Sequence, residues 1–253
     1  MSPPNQQVVF APTGTKIRAE FDTEVVAESR NAMLLRESPF RLVYGFPKVE
    51  VTSSALQARS ETDHAGGLGA VRYWDLITDG TRREQALYEY LDTREGVPDL
   101  RGYLFVEWAS ANRWFEEEEQ LIGHPRDPFT RIDVRQTAYH IQVELEGVTV
   151  ADTSRPLVLA ETGVPIRYYV PSDDITWYYL IDSETTSSCA YKGRARYWHL
   201  QVNGTVHEDL VWAYLEPLQD ATLVKDALCF YQEKLTLRID GEVEARAPRS
   251  FTK

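Results

Sequence analysis

The second half of the chain carries reactive side chains at spacings that suit acid–base chemistry. The run Ser187-Ser-Cys-Ala-Tyr-Lys-Gly193 places Cys189, Tyr191 and Lys192 within four positions, and Glu161 stands in Glu161-Thr-Gly-Val-Pro165. A lysine there could donate a proton, contact a phosphate or carboxylate, or act as an amine nucleophile if desolvation lowers its pKa. A carboxylate such as Glu161 becomes a general base if burial raises its pKa; it serves equally well by accepting backbone N–H bonds in a turn. Cys189 needs an electropositive, partly exposed setting to be a thiolate, which Lys192 three residues on could help to supply.

Lys192, Arg194 and Arg196 stand at i, i+2 and i+4, so on a strand they project from one face. Tyr168, Trp212 and Tyr214 add rings that give a pocket flat apolar walls with a polar tip. The candidate catalytic set is therefore Lys192, Glu161, Tyr191 and Cys189. The candidate substrate contacts are Tyr168, Arg194, Arg196, Trp212 and Tyr214. The plainer readings are a surface lysine, a small buried cysteine, a solvated strand face and half-buried strand aromatics.

The remaining patterns exclude more than they offer. Cys189 and Cys229 form no CxxC and no Cys/His cluster, whereas a structural zinc needs about four such ligands at short spacings. Cys229 sits in the apolar run Leu228-Cys-Phe-Tyr231 and reads as core. Gly66-Gly-Leu-Gly69 is not followed by the Lys-Ser/Thr of a phosphate loop. No metal and no cofactor are expected. His207, alone beside a turn, reads as solvated.

These residues are positioned by a chain that repeats itself. Ala70-Val-Arg-Tyr-Trp-Asp-Leu76 and Arg194-Ala-Arg-Tyr-Trp-His-Leu200 are offset by 124, and the same offset relates Glu37 to Glu161, Tyr44 to Tyr168 and Gly80-Thr81 to Gly204-Thr205. Residues 17–118 overlay 141–242 without a gap, with about 23 identities in 102 positions. One register held so far indicates tandem copies of one fold. The reactive loop differs between them: where the second copy has Cys189, Tyr191 and Lys192, the first has Ala65, Gly67 and Leu68.

Each copy alternates with a period of two, as in Ile141-Gln-Val-Glu-Leu-Glu. Asn203-Gly204 and Asp79-Gly80 are hairpin turn pairs, because type I′ turns need positive φ at both central residues. The expected fold is all-β with minor α, two small antiparallel domains related by internal duplication. Leu104 to Phe115 fits a helical face, but its partner Leu228 to Ile239 reads as strand with a turn, so strand is expected in both. Short helical pieces are possible near 83–91 and 207–215. The expected boundaries are a flexible N-terminal segment 1–15, a first domain 16–122, a Pro-containing joint 123–138 and a second domain 139–245.

The chain has 253 residues and a net charge of −12. An acidic surface repels a phosphate backbone, which disfavours nucleic-acid partners. No apolar run approaches the roughly 20 residues of a membrane helix, and the N-terminus has no secretory pattern. A cytoplasmic protein with a small-molecule ligand and no membrane partner is expected; monomer and homodimer both remain open.

Val150-Ala-Asp-Thr-Ser-Arg-Pro156, Glu161-Thr-Gly-Val-Pro165, Tyr168-Tyr-Val-Pro171, Cys189-Ala-Tyr-Lys-Gly-Arg-Ala-Arg-Tyr-Trp198 and Leu228-Cys-Phe-Tyr231 resemble the family numbered 427 among the domains of unknown function, labelled nucleotidyltransferase-like. The resemblance covers residues 15–243. It implies small β-tent domains similar to methionine sulfoxide reductase B and its zinc-binding relatives. The paired CxxC ligands of those relatives are absent, so zinc does not carry over. Ala190 replaces the proline of the family's Cys-Pro-Tyr-Lys-Gly.

The leading functional expectation is a small-molecule enzyme of specialised metabolism acting on an anionic or carbonyl-containing compound. Lys192, Glu161 and the tyrosines would supply acid–base or positioning roles in a second-domain pocket. The alternative is a non-catalytic binding or scaffold protein. Nucleic-acid binding or nucleotidyl transfer ranks third.

Overall fold

The computed structural model describes residues 8–38, 41–63 and 67–244. It divides after Phe129 into two units. In the first, strands β1 (Val9–Pro12), β4 (Met33–Ser38), β5 (Arg41–Pro47), β6 (Leu56–Asp63), β7 (Val71–Thr78), β8 (Thr81–Tyr90) and β9 (Tyr103–Val106) make a seven-stranded sheet, ordered β1-β4-β5-β9-β8-β7-β6. Strands β2 (Ile17–Phe21), β3 (Glu24–Ser29), β10 (Arg113–Glu116) and β11 (Glu119–Leu121) make a four-stranded sheet, ordered β11-β10-β2-β3.

The second unit repeats this plan. Its large sheet has β12 (Ile132–Gln136), β15 (Leu157–Glu161), β16 (Arg167–Pro171), β17 (Leu180–Cys189), β18 (Gly193–Val202), β19 (Thr205–Ala213) and β20 (Ala227–Phe230), ordered β12-β15-β16-β20-β19-β18-β17. Its small sheet orders β14 (Val148–Thr153), β13 (Ile141–Leu145), β21 (Thr236–Ile239) and β22 (Glu242–Val243). Within each unit the ladders are antiparallel. The chain is a duplicated all-β protein.

Alternation explains the layers. Ile141, Val143 and Leu145 are buried while Gln142 and Glu144 between them are not. That buried row belongs to a core with Val170, Trp198, Val211 and Phe230 of the large sheet. A second core occupies the other face of the large sheet, with Leu159, Tyr169, Trp212, Tyr214 and Cys229. Burial of both faces makes the central strands continuous in hydrophobicity. The expected turn pairs have positive φ at both residues: 47° and 75° at Asp79-Gly80, 50° and 80° at Asn203-Gly204.

The structure corrects four expectations. The regions near 83–91 and 207–215 are strands β8 and β19, not helical pieces. Ala86 to Tyr90 are buried without a break because the strand there is covered on both faces. Residues 9–12, expected in a flexible segment, pair with β4, and β12, expected in the joint, pairs with β15. The repeat is not gapless: Trp114 pairs with Ala19, but Leu237 pairs with Val143, an offset of 123 rather than 124, so the second copy lacks one residue in the preceding turn. Residues 1–7, 39–40, 64–66 and 245–253 lie outside the described residues, including part of the first-copy loop aligned with Cys189.

Candidate functional site

A row of side chains crosses five strands of the second unit's large sheet: Leu157, Tyr169, Cys229, Trp212 and Tyr197 stand opposite one another in successive ladders. They share the sheet face turned away from the small sheet. Glu161 is on that face because it keeps the parity of Leu157 and Leu159, and Arg167 is there because it keeps the parity of Tyr169. The small Cys229 between two large rings leaves a hollow. A cavity of about 220 Å³ opens there, lined by Leu159, Glu161, Val164, Arg167, Tyr169, Lys192, Tyr197, Trp212, Tyr214 and Tyr231.

Lys192 reaches the cavity from the turn between β17 and β18. Strand parity would send it outward with Arg194, but Gly193 has φ of +104° and turns the preceding residue inward. The turn is fixed by the Leu218 N–H, which donates to the Lys192 carbonyl at 3.1 Å. The Lys192 ammonium donates to Glu161 Oε2, and both side chains are largely buried, 11% and 15% exposed. A paired, hydrogen-bonded charge is the form in which an ammonium survives burial.

A second ion pair stands at the cavity wall. Arg167 donates through Nη1 to Glu233 Oε2 at 2.8 Å, and its Nη2 stands 2.7 Å from Glu233 Oε1 as the other half of the ion pair. Its guanidinium lies 5.7 Å from the Trp212 ring centre. Burial opposes its charge, but Glu233 outweighs that and holds its pKa above the ordinary value. Trp212 in turn packs on Tyr231 with ring centres 4.6 Å apart. Burial, then the neighbouring thiol and carboxylate groups, push the Tyr169 and Tyr214 phenols up, and burial takes Tyr231 up to about 12. Burial also raises the Cys229 thiol, so it stays protonated at neutral pH.

The structure gathers Lys192, Glu161, Trp212 and Tyr214 from the sequence-derived candidates. It does not bring the others to the cavity. Tyr168 has the opposite parity from Tyr169 and lies beside Ile141, Val143 and Val170 on the inter-sheet side. Arg194 and Arg196 are exposed, so the basic stripe is broken at Gly193; Arg196 pairs with Asp182 at 2.9 Å. Tyr191 is buried in the turn, and Cys189 is half-buried against the adjoining core without lining the cavity. Neither cysteine forms a disulfide. Among the described residues no group of three or more His, Cys, Asp or Glu is placed to hold a metal ion.

Arg167, Tyr197 and Tyr231 escaped sequence reasoning, and Tyr169 was weighed only as one of several aromatics that could line a pocket. A signal for Arg167 and Tyr231 was available: subtracting 124 gives Val43 and Glu107, replacements as drastic as Leu68 for Lys192.

In the first unit a large ring, Phe105, stands where the second has Cys229. Its row reads Met33, Gly45, Phe105, Tyr88 and Tyr73. Phe105 stacks on Tyr88 at 5.3 Å and meets Tyr90 edge-on at 5.4 Å. Glu37 accepts hydrogen bonds from the Tyr88 and Tyr90 hydroxyls and, at 2.7 Å, from Arg41 Nε. The carboxylate common to both copies thus has different cations, Arg41 in one and Lys192 in the other.

These observations define a two-copy all-β protein with a polar, aromatic-walled cavity in its second copy. The family described as Domain of unknown function (DUF427) matches residues 9–117 and 133–244, and the chain belongs to it. Comparison with curated proteins finds no match. No helix among the described residues is long and apolar enough to cross a membrane.

Proposed function

We propose that the second unit binds a small carbonyl compound and moves a proton on it, with Lys192 as acid and Glu161 as base. The observation that carries this reading is the Lys192–Glu161 pair at the wall of the cavity, in the copy whose hollow is open. A substrate carbonyl oxygen entering beside Lys192 accepts a hydrogen bond from the ammonium. Glu161, released from that ion pair, takes the proton from the carbon next to the carbonyl, and Lys192 supplies one to the oxygen. The ketone becomes its enol, no electron leaves the molecule, and the reverse transfer restores both groups. The aromatic walls lower the local dielectric and so strengthen both interactions.

The test is deuterium exchange. Purified full-length protein in D2O, given acetone, pyruvate and phenylacetone as probes, is expected to speed the loss of α-proton NMR signal. Glu161→Gln and Lys192→Met are expected to abolish that acceleration. Exchange at the rate of buffer alone would overturn the catalytic reading; line broadening of a probe without exchange would replace it with a binding role.

A further inference from the structure

We infer that Arg167, backed by Glu233, reads a carboxylate on the same ligand, and that the ligand is a flat, single-ring compound carrying that carboxylate beside its carbonyl. This rests on the reading of the second-unit cavity as a carbonyl site and names its substrate class.

The charge of the lining is the first argument. The cavity wall carries two cations, Lys192 and Arg167, against one carboxylate, Glu161. Glu233 does not line the cavity; it grips the two Nη atoms of Arg167. The guanidinium has five N–H donors in a rigid fork. Glu233 accepts a hydrogen bond from Nη1 and lies in ion-pair contact with Nη2, and Nε makes no hydrogen bond to a described residue. An arginine fixed in this way meets a ligand oxygen without losing side-chain freedom on binding.

The second argument comes from the duplication. The first unit has the same strands with Val43 where the second has Arg167, and the carboxylate of its corresponding turn, Glu107, pairs instead with Arg41. The fold therefore forms without the Arg167–Glu233 pair. The pair occurs together with Lys192 in the copy that has the open hollow.

Size and shape set the rest. A cavity of about 220 Å³ has room for one substituted ring. Trp212, Tyr197, Tyr214 and Tyr231 give that ring an aromatic lining. A ligand in this cavity has Arg167 available for its carboxylate and Lys192 for its carbonyl.

Benzoylformate is a suitable probe, because it has ring, keto group and carboxylate but no α-hydrogen to exchange. 1-Phenyl-1,2-propanedione replaces the carboxylate by neutral acetyl, and pyruvate lacks the ring. Binding to full-length protein is measured by calorimetry or ligand-observed NMR. Benzoylformate is expected to bind about tenfold or more tighter than either comparator, the usual margin of a charge-assisted hydrogen bond. The double variant R167Q/E233Q, which removes both charges together, is expected to erase the preference for benzoylformate over the diketone. R167K is expected to keep part of it. Equal affinity for benzoylformate and the diketone, an unchanged preference in the double variant, or no binding by any probe would each overturn the inference. The α-proton exchange of acetone and phenylacetone reports separately on the underlying carbonyl reading, so the two fail independently.

Discussion

Phe105 lies against Gly45 so closely that a Cβ on the glycine would come within 2.8 Å of the ring. The two residues stand opposite each other on β5 and β9. In the second unit the same positions hold Tyr169 and Cys229, again opposite each other. Size has been exchanged across the pair: small against large in one copy, large against small in the other. The exchange moves a ring from β9 to β16, and with it the open space.

Gly45→Ala should therefore destabilise the first unit. Phe105 is fully buried among Tyr88, Tyr90 and Phe10, so its ring has little room to yield. Overpacking of this kind costs about 1–3 kcal/mol. The double variant Gly45→Ala/Phe105→Leu should recover part of that loss. Urea unfolding followed by circular dichroism measures both; a neutral Gly45→Ala would show that the ring moves freely.

Lys192→Leu copies the residue that the first unit has at this place, yet it should not be tolerated as Leu68 is. Glu37 has Arg41, Tyr88 and Tyr90 as donors, whereas Glu161 would lose the ammonium that neutralises it. Breaking a largely buried pair from one side costs about 3 kcal/mol. Lys192→Leu/Glu161→Leu should regain most of it, and a double-mutant cycle on thermal unfolding gives the coupling. Additive single effects would mean the pair is not coupled.

Sequence alone carried the architecture further than the site. Repetition at one offset exposed the duplication, and alternation with Asn-Gly and Asp-Gly turns exposed the strands. Strands buried on both faces, such as Ala86 to Tyr90, lose the alternation that identifies them. The site failed on parity. Lys192, Arg194 and Arg196 share a face only if the strand runs through all three, and the positive φ of Gly193 interrupts it. Tyr168 and Tyr169 are adjacent and chemically equal, so only the register of β16 against β15 and β20 decides which ring faces the cavity.

Alkaline pH should unfold the protein through its phenols. Burial raises Tyr88, Tyr90, Tyr169 and Tyr214 well above the ordinary tyrosine value and takes Tyr231 up to about 12. The unfolded chain loses these protons first as pH passes about 10, so the folded state binds more protons there and stability falls as pH rises. The contribution is complete below pH ~10 and is lost on the way up through the folded values. Phenolate absorbance should therefore rise in a step that coincides with loss of the circular dichroism signal. A smooth titration near pH 10 with the fold intact would contradict it.

Gly193 and Gly204 separate backbone strain from positioning. Both have positive φ, +104° and +80°, but a Cβ on Gly204 meets nothing within 4 Å, while one on Gly193 comes within 3.1 Å of the Glu216 carbonyl oxygen. Gly204→Ala should cost about 1 kcal/mol, the ordinary penalty for an L-residue at positive φ. Gly193→Ala adds the clash, so it should cost roughly twice as much. It should also shift the turn that directs Lys192 inward and weaken the Leu218 N–H bond to the Lys192 carbonyl. Probe binding and α-proton exchange should then fall in Gly193→Ala and stay at the parent level in Gly204→Ala. Equal effects of the two substitutions on both stability and binding would show that Gly193 serves only the turn.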